Sequence, residues 1–186
     1  MTDDHRDRRP PGAPSAVGVS PSTMLRIEDD ERVFAEGENY RIVQWRNVFL
    51  THWSGPISME GLEASQEGSF DLATRHDGVM VFNVIEFGLQ IPPSEVRRKA
   101  SEVLAATSGH VVGVATVVPG EGFWASAARA AVATITLLSR ARHPHRVFAS
   151  TDEASNWVHP FVRPDSTPPQ HLTRALARLT DRGRTA

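Results

Sequence analysis

Val111, Val112, Val114, Ala115, Val117 and Val118 make an apolar run without polar alternation, the pattern of a strand buried on both faces. Pro119-Gly120 ends the run. Trp124, Ala127, Ala131, Ile135 and Leu138 then recur at intervals of 3 or 4 residues, which predicts a helix over 123–140 with these side chains on its inner face. A buried strand joined by a short loop to an amphipathic helix is half of a parallel βαβ unit.

The same reading extends along the chain. Residues 32–36 predict a first strand, and Gly37-Glu38-Asn39 a turn. Tyr40, Ile42, Val43 and Trp45, then Val48, Leu50, His52 and Trp53, predict two short antiparallel strands broken at Arg46-Asn47. Ser58 is placed as an N-cap, with Ile57 and Leu62 as a hydrophobic staple. The helix that follows to about residue 75 turns Leu62, Ser69, Leu72 and Ala73 inward, and Gly61 and Gly68 weaken it. Asp77-Gly78 leads into a strand over 79–87. Pro92-Pro93-Ser94 opens a second helix with Val96, Ala100, Val103 and Leu104 as its buried stripe, and Gly109 suits the left-handed position that ends it. Residues 145–149 predict a last strand. Ser150 to Glu153 form a capping box before Ala154, Trp157, Val158 and Phe161, with Pro160 limiting that helix.

The ends differ in composition. Residues 1–22 carry mixed charge, four prolines and few large apolar side chains, and are expected to be a disordered tail. Residues 23–162 are expected to form the α/β domain. Residues 163–186 are expected to be a Pro-rich linker and an Arg-rich helix, detached from the domain, with Leu172, Ala175, Leu176 and Leu179 at helical spacing.

The predicted order is β-β-β-α-β-α-β-α-β-α: an α/β fold with a mixed sheet of about five to six strands packed with four helices, plus the short C-terminal helix. Over roughly 40–161 it resembles the STAS-like group, the anti-sigma-factor-antagonist-like regulatory domains of short bacterial proteins. The resemblance rests on element order and on the closing pattern Arg146-Val147-Phe148-Ala149-Ser150-Thr151-Asp152-Glu153-Ala154-Ser155-Asn156-Trp157. It implies a regulatory module that binds another protein. It also places a candidate phosphorylation site at Ser94, although the acid and glycine that flank the family's serine are absent here.

Composition narrows the chemistry. A net charge of −2 gives no bulk attraction to nucleic acid or to an acidic membrane, and no apolar run is long enough to span a bilayer. The chain begins without the apolar segment of a secretory signal, so a cytoplasmic location is expected. The absence of cysteine excludes disulfides, thiolate metal sites and cysteine nucleophiles.

No catalytic residue, cofactor or metal ligand set emerges. His143-Pro144-His145 is the one close histidine pair, and a tetrahedral zinc site needs third and fourth ligands that the sequence does not specify. It reads as a solvent-exposed pair at a helix end. Gly120-Glu121-Gly122 follows neither the Walker nor the dinucleotide glycine pattern, and no Gly-x-Ser-x-Gly elbow occurs. Asp29-Asp30-Glu31 reads as a solvated turn.

Trp45, Trp53, Trp124 and Trp157 read as core anchors, Trp124 above all. The alanines of the 123–140 helix suggest close packing on the sheet, or a homodimer contact along a second helix face. The expected function is a non-enzymatic interaction module. Its candidate partner surface is Leu172, Leu176, Leu179, Arg174 and Arg178, offered to a groove on another protein or folded back onto the domain itself. The alternative is a carrier of a small apolar ligand between sheet and helices. An enzyme of hydrolase type ranks third.

Overall fold

Strands of the predicted kinds form where the β-branched and aromatic residues cluster. The computed structural model describes residues 31–163 and 169–181. The expected tail over 1–22, the acidic pair Asp29-Asp30, most of the linker and the last residues of the chain lie outside them. Six strands form one sheet: β1 (Glu31–Gly37), β2 (Tyr40–Trp45), β3 (Val48–Trp53), β4 (Val79–Ile85), β5 (Val111–Val117) and β6 (His145–Phe148). Their order across the sheet is their order in the chain. β1–β2 and β2–β3 pair antiparallel, and β3 through β6 are parallel neighbours. The valine-dense β5 is hydrogen-bonded on both sides. Its one exposed valine, Val112, falls where the register with β4 slips, Val79 pairing with Val111 but Met80 with Gly113.

Among the described residues five α-helices cover the sheet: α1 (Met59–Ala73), α2 (Ser94–Thr107), α3 (Gly122–Ser139), α4 (Thr151–Val158) and α5 (Pro169–Asp181), with a 3₁₀ turn at His159–Phe161. The period-2 alternation of the strands sorts the core into two faces. Tyr40, Ile42, Phe49, Trp53, Val79 and Val114 meet α1 and α2, with α3 beside them over Val118 and Val147. Val43, Trp45, Leu50, Phe82, Ala115 and Val117 meet α4 and α5.

Caps form where the sequence places them. Ser58 Oγ accepts from Gly61 N at 3.1 Å and Ser150 Oγ accepts from Glu153 N at 3.3 Å. Asn47, in the β2–β3 turn, ties three segments together. Its Nδ2 donates to Gly78 O and Phe161 O, and its Oδ1 accepts from Arg163 N at 2.8 Å.

Several expectations are corrected. The C-terminal helix is not detached: Leu172, Ala175 and Leu179 are fully buried and Leu176 nearly so, against β2, β3 and α4. Arg178 Nε donates to Glu31 Oε2 at 2.7 Å, closing α5 onto β1. The second sheet face needs this helix, because the two turns of α4 are too short to cover it.

On α3 the inner face lies one position on from the predicted one: Ala125, Ala128 and Val132 are buried, whereas Leu138 is 60 % exposed. Small side chains let the helix axis approach the sheet, so the larger Trp124 and Ile135 are turned to the seam beside it, half-buried.

Gly61 and Gly68 are on the buried face of α1. A Cβ on Gly61 would stand 2.7 Å from the Trp53 ring, and one on Gly68 the same distance from Phe49, so these glycines permit contact where they had been expected only to weaken the helix. On α2, Ala100 and Leu104 are half-buried while Ser101 and Thr107 are buried. Gly109 is not left-handed, since Ser108 caps α2 in the right-handed region. The left-handed helix end is instead at Arg140, with φ 51° after α3.

Candidate functional site

The crossovers that carry α1, α2 and α3 over one face leave a gap beneath them. A cavity of about 120 Å³, partly open to solvent, lies between that face and the three helices. Phe49, Trp53, Val81 and Ile85 come from the sheet, Leu62 from α1, Val96, Val103 and Leu104 from α2, and Val132 and Ile135 from α3. A smaller hollow of about 30 Å³ adjoins it beneath the β4–α2 loop, sharing Ile57, Ile85, Pro92, Val132 and Ile135. Trp124 closes that side. Its Nε1 donates to Leu89 O at 2.7 Å and its ring meets Phe87 edge-on, centroids 4.8 Å apart.

The floor of this apolar space carries a row of polar side chains. Thr51, Asn83 and Thr116 are successive partners across β3, β4 and β5, and His145 on β6, two residues before Thr116's register partner Val147, extends the row through its side chain. The hydrogen bonds of the row fix its protons. Thr136 Oγ1 donates to Val132 O at 2.9 Å, so its single proton is committed and it accepts from His145 Nδ1–H at 2.7 Å. A neutral imidazole protonated at Nδ1 accepts at Nε2, where Thr116 Oγ1 donates at 2.9 Å. Thr116 Oγ1 in turn lies 3.5 Å from Asn83 Nδ2, its remaining donor. Burial first, and the neighbouring His143 second, push the His145 pKa down to about 4, which keeps the ring neutral near pH 7. Thr51 Oγ1, beside Asn83 in the row, is buried without a hydrogen-bond partner.

The histidine pair is therefore not the exposed pair predicted. His145 belongs to the cavity, and burial holds His143 below its ordinary range as well. Among the described residues no group of three His, Asp or Glu side chains is placed to hold a metal ion.

The structure separates the other predicted site residues. Ser94 is exposed at the first position of α2, where Pro93 is the N-cap and supplies no side-chain hydrogen bond. Leu172, Leu176 and Leu179 are spent on the core of the chain's own domain, so they offer no surface to a partner. Arg174 is exposed on the outer side of α5, and Arg178 is paired with Glu31. Trp45 and Trp53 are buried, whereas Trp124 and Trp157 are half-buried.

A wider, shallow and more polar hollow lies at the opposite end of β4 and β5, among Arg75, His76, Asp77 and His110. His110 is held below its usual range, by burial first and His143 second, and its Nε2 meets Ser69 Oγ at 2.9 Å. The cavity is the more apolar and the less open of the two, which favours it over this hollow as a site for a small molecule.

Comparison with protein-family models, curated proteins and solved structures found no match to this chain. The site is thus read from its own geometry. Among the described residues no helix is long and apolar enough to cross a membrane.

Proposed function

We propose that this chain is a non-enzymatic binding domain that holds a small, mostly apolar molecule between its sheet and helices α1–α3. The observation that carries this reading is the cavity of about 120 Å³, walled by aliphatic and aromatic side chains and floored by one polar row. A dry apolar cavity of about 150 Å³ suffices to bind benzene, so this one suits a ligand of one small ring or a short branched chain. The neutral His145, spent at both nitrogens on threonine hydroxyls, has no acidic partner in that row and no free nitrogen to act as a base. The likeness to STAS-like domains is compatible with this reading, since some relatives of that fold are thought to carry apolar ligands.

Benzene titration tests it. A ligand that binds the folded state alone raises the melting temperature with its concentration. Benzene is expected to do so in the unaltered protein and not in Ala100→Leu, whose added side chain fills the cavity from α2. Equal behaviour of the two proteins would remove the reading.

A second reading, binding of another protein or of a second copy in a homodimer, is favoured by a separate observation. Phe123 is 90 % exposed and Leu137 80 % exposed on α3, with Leu138 beside them. Replacement of Phe123 and Leu137 by serine is expected to leave stability nearly unchanged. If this face docks a copy of the chain, the replacement abolishes any dimer seen by sedimentation; a monomer at all concentrations removes that form of the reading. Regulation through Ser94 stands with this second reading and is tested by phosphate analysis of protein from the native cell.

A further inference from the structure

The polar floor restricts which apolar molecule the cavity accepts. The inference rests on the binding role just proposed and adds the chemistry of the ligand. Two hydroxyls around His145 have their protons committed: Thr136 to Val132 O, Thr116 to His145 Nε2. Two further hydroxyls in the cavity wall are turned back onto their own helices, Ser65 to Gly61 O at 2.7 Å and Thr107 to Val103 O at 2.9 Å. None of these four has a proton left to donate. Asn83 is different. One N–H faces Thr116 over a long 3.5 Å contact, leaving the carboxamide oxygen and the second N–H for a partner. Its neighbour in the row, Thr51, is buried with its hydroxyl unpaired. Unpaired buried polar groups are rare and costly, and the one at Thr51, next to the partly used carboxamide of half-buried Asn83, marks a place where the packing lacks a polar atom.

Charge decides the rest. Of the residues around the cavity only Arg97 bears a full charge, and its Nη1 is bound to Pro92 O at 2.5 Å. An anion at Asn83 would meet the carboxamide oxygen and lie beside a neutral imidazole, with no countercharge on the floor. A hydroxyl both donates and accepts, so it satisfies the carboxamide on either edge.

We infer that the cavity selects a small, uncharged, predominantly apolar molecule bearing one hydroxyl group, which is bound at Asn83 on the cavity floor.

Three probes built on the same aromatic ring test this: phenol, benzene and benzoate, each titrated into the full chain by calorimetry. Phenol is expected to bind about tenfold more tightly than benzene, the ratio one net hydrogen bond supplies. Benzoate is expected to bind more weakly than either. Asn83→Leu should bring phenol down to the level of benzene or below it while benzene binding persists. Should that variant not fold, the three probes on the unaltered chain decide the matter alone. Benzene equal to or tighter than phenol would overturn hydroxyl recognition and leave the cavity reading intact. Benzoate as the tightest ligand would overturn it in favour of an anion held at Arg97. Failure of all three to bind would overturn both inferences together.

Discussion

At the scale of single residues, His145 is the most informative position. Its folded-state pKa of about 4 lies below the ordinary value of 6.5, so the unfolded chain takes up a proton that the folded chain refuses. The stability this contributes is complete above pH 6.5 and is lost as pH falls from there to about 4. The full loss is about 3 kcal/mol. His110 and His143 are lowered too and act in the same direction. Urea unfolding at a series of pH values should therefore weaken well before carboxylates protonate, and His145→Gln should flatten much of that slope. An unchanged slope in the variant would show that the ring is not buried as described. Gly61 makes the opposite kind of case. Alanine there gains about 1 kcal/mol of helix propensity but drives a Cβ into the Trp53 ring. Overpacking costs about 1–3 kcal/mol, so net destabilisation is expected in thermal melts. Neither role could be read from sequence. A histidine next to a proline and a glycine within a helix look like a solvated end and a weak spot until the facing element is known.

At the scale of elements, α5 shows what amphipathic periodicity can and cannot tell. Leu172, Ala175, Leu176 and Leu179 are legible as a stripe; what the stripe covers is not. The answer lies in the sheet: with α1, α2 and α3 on one face, the other exposes Val43, Leu50 and Phe82 to an eight-residue α4 alone unless α5 is laid down. Leu176→Ala should cost about 2–5 kcal/mol in chemical denaturation, as a core truncation does. A stability loss within measurement error would return α5 to the role of a free docking helix. The polar row is illegible for a related reason. Asn83 stands among Val, Phe and Ile, and Thr116 among valines, each an isolated irregularity within its strand. Register alone makes them neighbours, and sequence periodicity carries no register between parallel strands joined by a helix. The one available signal was an asparagine in the middle of an otherwise apolar strand, where a buried amide needs partners.

At the scale of the whole molecule, the architecture follows from the hydrophobic pattern. Two antiparallel pairings come first, then three parallel ones, with a helix in each crossover, and the predicted α/β order stands element for element. What the pattern does not contain is the gap. The three helices of one face leave a space between themselves and the sheet, and that space is the candidate site. The exposed face of α3 is the other feature without a structural use in the single chain. The two make different demands on a ligand, because one is a partly open cavity between sheet and helices and the other an exposed helix face.

Isotope-filtered NOE spectroscopy of the benzene complex, with protein methyl groups labelled, separates them directly. Contacts from benzene to Val81, Ile85, Val103, Val132 and Ile135 are the predicted result. Contacts confined to Leu137 and Leu138, or none to any of these methyl groups at saturating benzene, would contradict the binding site between sheet and helices.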